Sequence, residues 1–314
     1  MHTLPELKRM NRALLSHEAK HNIGRVESYP SLVAITALEK CNFRCIMCSQ
    51  HHKSDAQISQ AALERIGRSL PYTDYVCITG GEPFLYGHID QFFQLCHQGG
   101  CEPVVQTNGS LLLERQRRML LKCGVGIVKI SCDGARAETY NRIRPGGNFN
   151  TLVQNIRLLT ELKAARGTKL PVLEFNFVAM RSNVSELVPL VNLAKAIGVE
   201  VVNVFLLLAE TEDMARESLY FQPDLADQEF LRAALAGKML GVKVNVPPLF
   251  ADKPVYAEAV CESHRCAAPW QSMTVNVDGS VAICCGGAGL AGNLNTDSFD
   301  EVWNHRSAAR CARP

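Results

Sequence analysis

The segment CNFRCIMC places Cys41, Cys45 and Cys48 close together on a loop, with no fourth cysteine beside them. Three thiolates can bind three irons of a [4Fe–4S] cluster and leave the fourth iron open for a small molecule. An open metal position distinguishes catalytic metal sites from structural ones, which are closed. The alternative is a structural zinc site that takes His51 or His52 as its fourth ligand. The triplet therefore predicts a metal site, and we favour the interpretation with an open iron.

Short polar segments also occur where three later predicted strands end. They are TGGEP at 79–83, QTNG at 106–109 and SCDG at 131–134. Each pattern alone is common in turns, but the carboxyl ends of parallel strands share one edge of a sheet, where ligands bind. Together with the cysteine loop, these segments predict one ligand site with the candidate residues Gly80, Gly81, Glu82, Pro83, Thr107, Asn108, Ser131 and Asp133.

The elements that must position these residues alternate between strands and helices. Short apolar strands are predicted over 32–38, 75–79, 103–107, 126–131, 172–180 and 199–208. Over 183–198, apolar residues recur at three- and four-residue steps, which is one face of a helix. Six strands alternating with helices predict an α/β fold with a parallel sheet and right-handed crossovers. Residues 209–258 break this rhythm, with a further helix predicted over 225–240.

The fifth predicted strand carries polar residues among apolar ones. Alternation puts Glu174, Asn176, Val178 and Met180 on one face of this strand. Glu174 and Asn176 indicate a face that contacts a ligand, and we take them as candidate cofactor contacts. A capped strand edge is the alternative. Asn203 in the sixth strand has the same two interpretations.

The cysteine triplet and the polar strand ends together resemble the radical S-adenosylmethionine (SAM) superfamily over roughly residues 30–210. The resemblance implies a partial (β/α)6 TIM-like barrel. In it the three cysteines bind a [4Fe–4S] cluster, and the amino and carboxylate groups of SAM chelate the open iron. It also implies that Gly80, Gly81 and Glu82 flank the methionine moiety of SAM. One departure is Met47, because the residue before the last cysteine is often aromatic in this superfamily.

The same resemblance makes Ser131, Asp133 and Arg144 candidates for the polar end of SAM. A guanidinium can bind a carboxylate through two parallel hydrogen bonds, which suits Arg144 to this role. The alternative for Arg144 is a solvated charge at a helix start, in the segment YNRIRPGG.

A second group of cysteines follows residue 260. The chain of 314 residues has 13 cysteines, and their odd number and uneven spread favour metal binding over a disulfide framework. Cys266, Gly279 and Cys284 have a spacing that resembles the SPASM/Twitch extension of many radical SAM enzymes, and GNL at 292–294 and VWN at 302–304 fit its tail.

By position, this second resemblance implies one auxiliary [4Fe–4S] cluster with the ligands Cys261, Cys266, Cys284 and Cys311. Only Cys311 follows Cys285, so the shorter Twitch form fits better than a full SPASM domain. A closed four-thiolate cluster suits electron transfer or structure. A structural zinc is the alternative.

Six cysteines remain after these two groups: Cys77, Cys96, Cys101, Cys123, Cys132 and Cys285. Cys77 and Cys132 alternate away from the predicted ligand side of their strands, so we expect them in the core. Cys285 is the candidate catalytic residue, because a thiol near the site could return a hydrogen atom to a substrate radical. Some radical SAM epimerases work in this way. Simple packing beside a metal site is the alternative for Cys285.

Composition excludes several other classes of protein. The formal net charge of +2 provides no basic surface, so we expect no nucleic acid and no membrane as a partner. The first residues lack the apolar stretch and cleavage site of a secretory signal, and the most apolar run, 201–209, is too short to span a bilayer. We therefore expect a cytoplasmic protein.

We expect the chain to be organised in four parts. These are an N-terminal segment at 1–29, the radical SAM partial barrel at 30–210, a helical linker at 211–258 and the Twitch-like auxiliary cluster domain at 259–314.

These resemblances predict a radical SAM oxidoreductase, with an epimerase as an alternative. It would reductively cleave SAM to a 5′-deoxyadenosyl radical and remove a hydrogen atom from a C–H bond. The expected substrate is a small polar biosynthetic molecule, such as a sugar or aminocyclitol, which is oxidised or rearranged. The auxiliary cluster would accept an electron, and a flavodoxin- or ferredoxin-type protein would be the reductant.

Two rival functions stay open at this point. One is the oxidation, cross-linking or epimerisation of a ribosomally made peptide. The roughly 30 residues before the first strand are too few for a separate peptide-recognition domain, which needs about 40–50 residues, so the small molecule is favoured. The other rival is a zinc-stabilised binding module without enzymatic activity.

Overall fold

A computed structural model describes residues 2–48, 54–252, 267–282 and 289–305. The auxiliary-cluster candidates Cys261, Cys266, Cys284 and Cys311, the spare Cys285, and the alternative zinc ligands His51 and His52 lie outside these residues. Within the described residues, no helix is long and apolar enough to cross a membrane.

The described elements alternate between strands and helices along most of the chain. The α-helices are α1 (Leu4–Lys20), α2 (Gln60–Gly67), α3 (Ile89–Gln98), α4 (Glu114–Lys122), α5 (Ala137–Ile143), α6 (Phe149–Ala165), α7 (Leu187–Ile197), α8 (Glu212–Glu217), α9 (Pro223–Leu240), α10 (Ala268–Gln271) and α11 (Phe299–His305). The strands are β1 (Leu32–Leu38), β2 (Tyr75–Gly80), β3 (Glu102–Thr107), β4 (Ile127–Ser131), β5 (Val172–Ala179), β6 (Val201–Leu206), β7 (Lys243–Asn245), β8 (Ser272–Val275), β9 (Ser280–Ala282) and β10 (Leu290–Asn293).

The six predicted strands are confirmed, each within a few residues of its expected bounds. The helix predicted over 183–198 is α7, and its buried residues are the predicted Leu187, Leu190, Val191, Ala194 and Ile197. The helix predicted over 225–240 is α9. Two short elements in the region 209–258, α8 and β7, were not predicted from the sequence.

The residues form two packing units, which we describe separately. The first unit comprises Met1–Lys40, His52–Val105 and Ala257–Pro314, and the second comprises Cys41–His51 and Gln106–Tyr256. They are groups of mutually contacting residues, and the four predicted domains stay a prediction.

In the first unit, the strand order is β10-β9-β8-β1-β2-β3. Strands β1, β2 and β3 are parallel, and β8 pairs in parallel with β1. Strands β8, β9 and β10 form an antiparallel meander. The parallel sheet expected for the start of the chain is therefore confirmed.

The segment 23–28, which joins α1 to β1, is held by residues from the far end of the chain. The indole N–H groups of Trp270 and Trp303 donate to main-chain carbonyls of this segment at 2.9 and 2.7 Å. The side chain of Asn304 accepts the main-chain N–H of Val26 at 2.9 Å. The VWN segment thus fastens the N-terminal helix to the first unit.

In the second unit, β4, β5, β6 and β7 are parallel neighbours in that order. Burial alternates strictly along β5: Leu173, Phe175 and Phe177 are fully buried, whereas Glu174 and Asn176 are partly exposed. Since successive side chains point to opposite faces of a sheet, one face forms the core and the other is open to a ligand. Polar residues of the open face are therefore available for binding.

The buried Trp303 provides a test of how the first unit is held together. Its side chain is 2% exposed, and Trp303→Ala should lower the free energy of unfolding by about 3–5 kcal/mol, because it leaves a cavity and removes the bond to Ser28. Trp303→Phe, the matched control, fills most of the cavity and should cost about 1–3 kcal/mol, the effect of an unsatisfied carbonyl. Urea unfolding under anaerobic conditions, followed by circular dichroism, measures both. A loss below about 1 kcal/mol in Trp303→Ala would contradict this account.

Candidate functional site

The three cysteines of the CNFRCIMC loop follow β1 directly and belong to the second unit. Cys45 is buried, and Cys41 and Cys48 are partly exposed. The loop is fastened to the residues after α5: the main-chain N–H groups of Arg44 and Ile46 donate to carbonyls at 145 and 143, at 2.8 and 3.0 Å. Main-chain hydrogen bonds therefore fix the two residues that flank Cys45.

The glycine pair after Arg144 allows this close approach. Gly146 has a φ of +95°, a conformation that side chains disfavour, and a Cβ at this position would lie 2.7 Å from the carbonyl oxygen of Asn42. A residue with a side chain at 146 would push the cysteine loop away.

A buried charge pair lies behind Cys45. The Nε and Nη2 atoms of Arg144 each lie 2.5 Å from Oδ2 of Asp133, and Nη1 of Arg144 lies 3.5 Å from the Sγ atom of Cys45. Asp133 is fully buried and Arg144 is 7% exposed, so the alternative that Arg144 is a solvated charge is wrong. The sequence placed Arg144 at the site, and the structure shows that two of its nitrogens converge on one carboxylate oxygen of Asp133.

Burial shapes the chemistry of this group. It raises the pKa of the Cys45 thiol to about 11, and the neighbouring Arg144 guanidinium opposes that shift. Burial disfavours the charged guanidinium, but the Asp133 carboxylate acts together with the Cys45, Tyr140 and Cys132 groups, and their combined attraction holds the pKa of Arg144 above its usual range. A metal-binding thiolate at Cys45 therefore needs the positive charge that Arg144 and bound irons provide.

The three thiols provide the ligand type that an iron–sulfur cluster uses. Among the described residues, no group of three or more His, Cys, Asp and Glu side chains converges on one metal ion. A cluster makes no such demand, because each thiolate binds a different iron. Soft thiol ligands on one fixed loop are the donor set that such a cluster requires.

The end of β3 supports the same loop. The Asn108 side chain donates to Oδ1 of Asn42 at 2.9 Å and approaches the Cys41 sulfur at 3.9 Å. Oγ1 of Thr107 accepts the main-chain N–H of Gly109 at 3.0 Å, which shapes the turn. Of the sequence-predicted residues, Asn108, Asp133 and Arg144 thus contact the cysteine loop or one another.

The TGGEP turn lies in the first unit, where it packs against the chain that follows β1. A side chain at Gly80 or Gly81 would clash with the carbonyl oxygens of Leu38 and Lys40. The N–H groups of Gly81 and Glu82 donate to these same carbonyls at 2.8 and 2.9 Å. Glu82 is fully buried, and Pro83 begins a short 3-10 helix. Gly80 and Gly81 therefore allow the TGGEP turn to pack closely against the main chain of residues 38–40.

A ladder of side-chain hydrogen bonds crosses the open face of β5, β6 and β7. Asn203 donates to Oε2 of Glu174 at 2.9 Å and to Oδ1 of Asn176 at 3.2 Å, and Asn245 donates to Oδ1 of Asn203 at 2.7 Å. Glu174, Asn176 and Val178 share this face as predicted. The placement of Met180 was wrong, because it follows the end of β5 and is buried.

Asn183 is a positioning residue that the sequence analysis missed. Its Nδ2 atom donates to the main-chain carbonyls of Asp133 and Val178 at 3.0 Å, and its Oδ1 atom accepts the N–H of Met180 at 2.7 Å. It is fully buried. In the sequence, Asn183 is a polar residue between a predicted strand and a predicted helix. Ordinary turns show the same pattern, so it did not identify Asn183 as a positioning residue.

The spare cysteines differ from one another in burial. Cys132 is fully buried, as expected, and burial raises its pKa to about 12. Cys77 was also expected in the core, but it is partly exposed because it alternates with the buried Val76 and Ile78. Cys96 and Cys101 are buried, and Cys123 is partly exposed.

Comparison with known proteins identifies two domains. The model of the radical SAM superfamily matches residues 35–173. The model of the SPASM iron–sulfur cluster-binding domain matches residues 266–313, which include Cys266, Cys284 and Cys311 but not Cys261. These two domains imply a [4Fe–4S] cluster with SAM and an auxiliary iron–sulfur cluster.

Two curated relatives have named activities. A probable GTP 3′,8-cyclase of Methanococcus maripaludis (strain C5) is 26% identical over 164 residues, which is 51% of this chain and 53% of the cyclase. An AdoMet-dependent heme synthase of Methanosarcina barkeri (strain Fusaro) is 23% identical over 312 residues, which is 90% of this chain and 85% of the synthase. The chain thus spans about half the length of the cyclase that it matches.

A solved structure confirms the fold over nearly the whole chain. SuiB of Streptococcus suis, bound to S-adenosylmethionine, matches with a TM-score of 0.73 at 18% identity, and the match covers 96% of this chain and 71% of SuiB. The predicted α/β class, a partial (β/α)6 barrel with a cysteine-rich extension, is confirmed. The chain therefore carries a radical SAM domain over residues 35–173 and a SPASM-type iron–sulfur cluster-binding domain over residues 266–313.

Proposed function

We propose that this chain is an oxidoreductase in which Cys41, Cys45 and Cys48 bind the SAM-cleaving [4Fe–4S] cluster. The observation that carries the proposal is the contact between Cys45 and Arg144, whose guanidinium is fixed by the buried Asp133. When bound, the reduced cluster and SAM supply a 5′-deoxyadenosyl radical that removes a hydrogen atom from an unactivated C–H bond.

The chain's own residues hold the reactants in place and keep water out. Arg144 places positive charge beside the Cys45 sulfur, and Asn108 fixes the start of the loop through Asn42. The predicted SAM contacts remain part of the proposal. Gly80, Gly81 and Glu82 are proposed at the methionine moiety and Ser131, Asp133 and Arg144 at its polar end. The other proposed cofactor contacts are Pro83, Thr107 and Asn108. Because two nitrogens of Arg144 already bind Asp133, we assign its Nη1 atom to the cluster side.

We infer that the substrate is a small polar molecule. The open face of the second unit carries the hydrogen-bonded Glu174, Asn176 and Asn203, which suit hydroxyl and amide groups better than apolar ones. The names of the cyclase and heme synthase relatives also describe chemistry on small molecules. Glu174 and Asn176, first predicted as cofactor contacts, are therefore proposed as substrate contacts.

A ribosomally made peptide is the second candidate substrate. The structure of SuiB with its precursor peptide SuiA matches this chain with a TM-score of 0.70 at 17% identity, over 96% of this chain. That likeness shows the fold, and the polar ladder could bind a peptide backbone as well as a sugar. Mass analysis of the product separates the two candidates.

The auxiliary cluster is proposed to accept an electron from the substrate radical. Its proposed ligands are Cys261, Cys266, Cys284 and Cys311, and Cys285 is the proposed hydrogen donor if the reaction is an epimerisation. A flavodoxin- or ferredoxin-type protein would reduce the first cluster.

The first prediction tests the cysteine triplet. Replacing Cys41, Cys45 and Cys48 together with Ala should abolish 5′-deoxyadenosine formation and lower the iron content from about eight to about four per chain, since one four-iron cluster remains. Anaerobic reconstitution followed by metal analysis and chromatography measures both. Cys123→Ala serves as the matched control and should leave both values unchanged. Normal SAM cleavage by the triple variant, or zinc in place of iron in the wild type, would refute the assignment.

The second prediction tests Arg144 separately from its structural partner. Arg144→Gln leaves the Asp133 carboxylate buried without its cation, which should destabilise the fold by about 3–5 kcal/mol. The double variant Asp133→Asn with Arg144→Gln removes both charges and should recover most of that stability. It should still lose iron from the first cluster, because the charge beside Cys45 is missing.

Thermal melting and iron content separate the two roles of Arg144. Full iron content in the stable double variant would mean that Arg144 supports only the fold.

The third prediction concerns the fate of SAM, which we expect to be consumed as an oxidant, one molecule per turnover. With a substrate deuterated at the reacting carbon, one deuterium should appear in 5′-deoxyadenosine, and the product should be two hydrogens lighter. A product of unchanged mass that gains one solvent deuterium would indicate epimerisation instead. Return of deuterium to the product with SAM intact would overturn the oxidant role.

A further inference from the structure

The open face of the second unit carries charged and polar side chains from four neighbouring strands. Lys129 of β4 is in register with Glu174 of β5, Ser131 with Asn176, and Asn176 with Asn203 of β6. In parallel strands, residues in register point to the same face. The Lys129 and Glu174 side chains therefore lie side by side on this face. Lys129 is two residues before the end of β4.

The ladder on this face leaves Lys129 without a salt bridge among the described residues. Glu174 is its neighbour in register, but the Glu174 carboxylate accepts its hydrogen bond from Asn203 on the other side. Within the part of the chain that the structure describes, the Lys129 side chain makes no ion pair and no hydrogen bond. The buried Lys163, by contrast, lies 2.9 Å from Oε1 of Glu200.

An ammonium without a salt bridge is stabilised by an anion within reach. The buried face of β4 carries Val128 and Ile130, which are fully buried and offer no such anion. An anion that binds Lys129 would therefore lie on the open face, where we also expect the substrate.

We propose that Lys129 binds an anionic group of the substrate, a carboxylate or a phosphate, while Asn176 and Asn203 hydrogen-bond the polar groups beside it. This inference rests on the proposed function, which places the radical reaction at the carboxyl end of β4. Lys129 lies two residues, about 7 Å, before that end. The substrate class is thus a polar molecule whose charged group and reacting carbon are several bonds apart.

The test observes the lysine itself and needs no identified substrate. The reconstituted full chain is reductively methylated with carbon-13 formaldehyde, which keeps the lysine charge. The lysine NMR signals are followed while inorganic phosphate or acetate is added, with chloride holding the ionic strength constant. SAM and reductant are left out.

We expect the Lys129 signal, identified by its loss in Lys129→Gln, to shift saturably with one or both anions at millimolar concentration. A response to phosphate favours a phosphorylated substrate, and a response to acetate alone favours a carboxylate. Lys195, an exposed lysine of α7 identified through Lys195→Gln, is the matched control and should show no saturable shift. Absence of a saturable Lys129 shift with both anions, or a shift equal to that of Lys195, overturns the proposal.

The outcome is separable from that of the proposed function. Failure of the wild type to form 5′-deoxyadenosine would count against radical chemistry and would leave the anion result unaffected. With an identified substrate, Lys129→Gln should raise KM by at least about tenfold with a smaller effect on kcat, because the contact holds the substrate in the ground state and the transition state alike. Lys129→Arg should recover most of that loss, whereas equal KM values in Lys129→Gln and wild type would also overturn the proposal.

Discussion

The buried pair of Asp133 and Arg144 is the interaction on which the second unit depends. Two charges removed from water cost several kcal/mol each, so such a pair persists only where every polar atom has a partner. Here one carboxylate oxygen receives two guanidinium nitrogens, and the other accepts the N–H of Val178 at 2.7 Å. Asn183 then bonds the main chain of both Asp133 and Val178. The pair therefore joins the ends of β4 and β5 to the residues that hold Cys45.

The strands of the second unit carry two kinds of polar group: buried charge pairs and partly exposed polar side chains. At the carboxyl ends, charges are buried and fully paired, which produces a rigid site with fixed electrostatics. Along the open face, the polar side chains are partly exposed and bonded mainly to one another, so they can exchange those bonds for bonds to a ligand. The buried face of the same strands is apolar and provides the packing energy. A rigid place for a cofactor and an adaptable surface for a substrate thus arise from one alternating pattern.

Much of this could be read from the sequence because its signals are local. The strands are short apolar runs between turn residues, and the periodicity of Leu187 to Ile197 specifies the buried face of α7. The cysteine loop was recognisable from spacing alone. By contrast, the pairing of Arg144 with Asp133 depends on a three-dimensional contact between residues eleven positions apart. The short strand β7 has too few residues to show a period, and Cys77 was misplaced because alternation does not say which of two faces is buried.

The bonds between segment 23–28 and residues 270–304 have a consequence for how the molecule is made. These hydrogen bonds join positions 247, 275 and 278 residues apart. During synthesis from the N-terminus, the second unit, mostly one continuous stretch from Gln106 to Tyr256, can assemble while translation is still in progress. The first unit cannot close until Trp303 has left the ribosome. The segment after its early helix must therefore wait until these distant residues are synthesised before its hydrogen bonds can form.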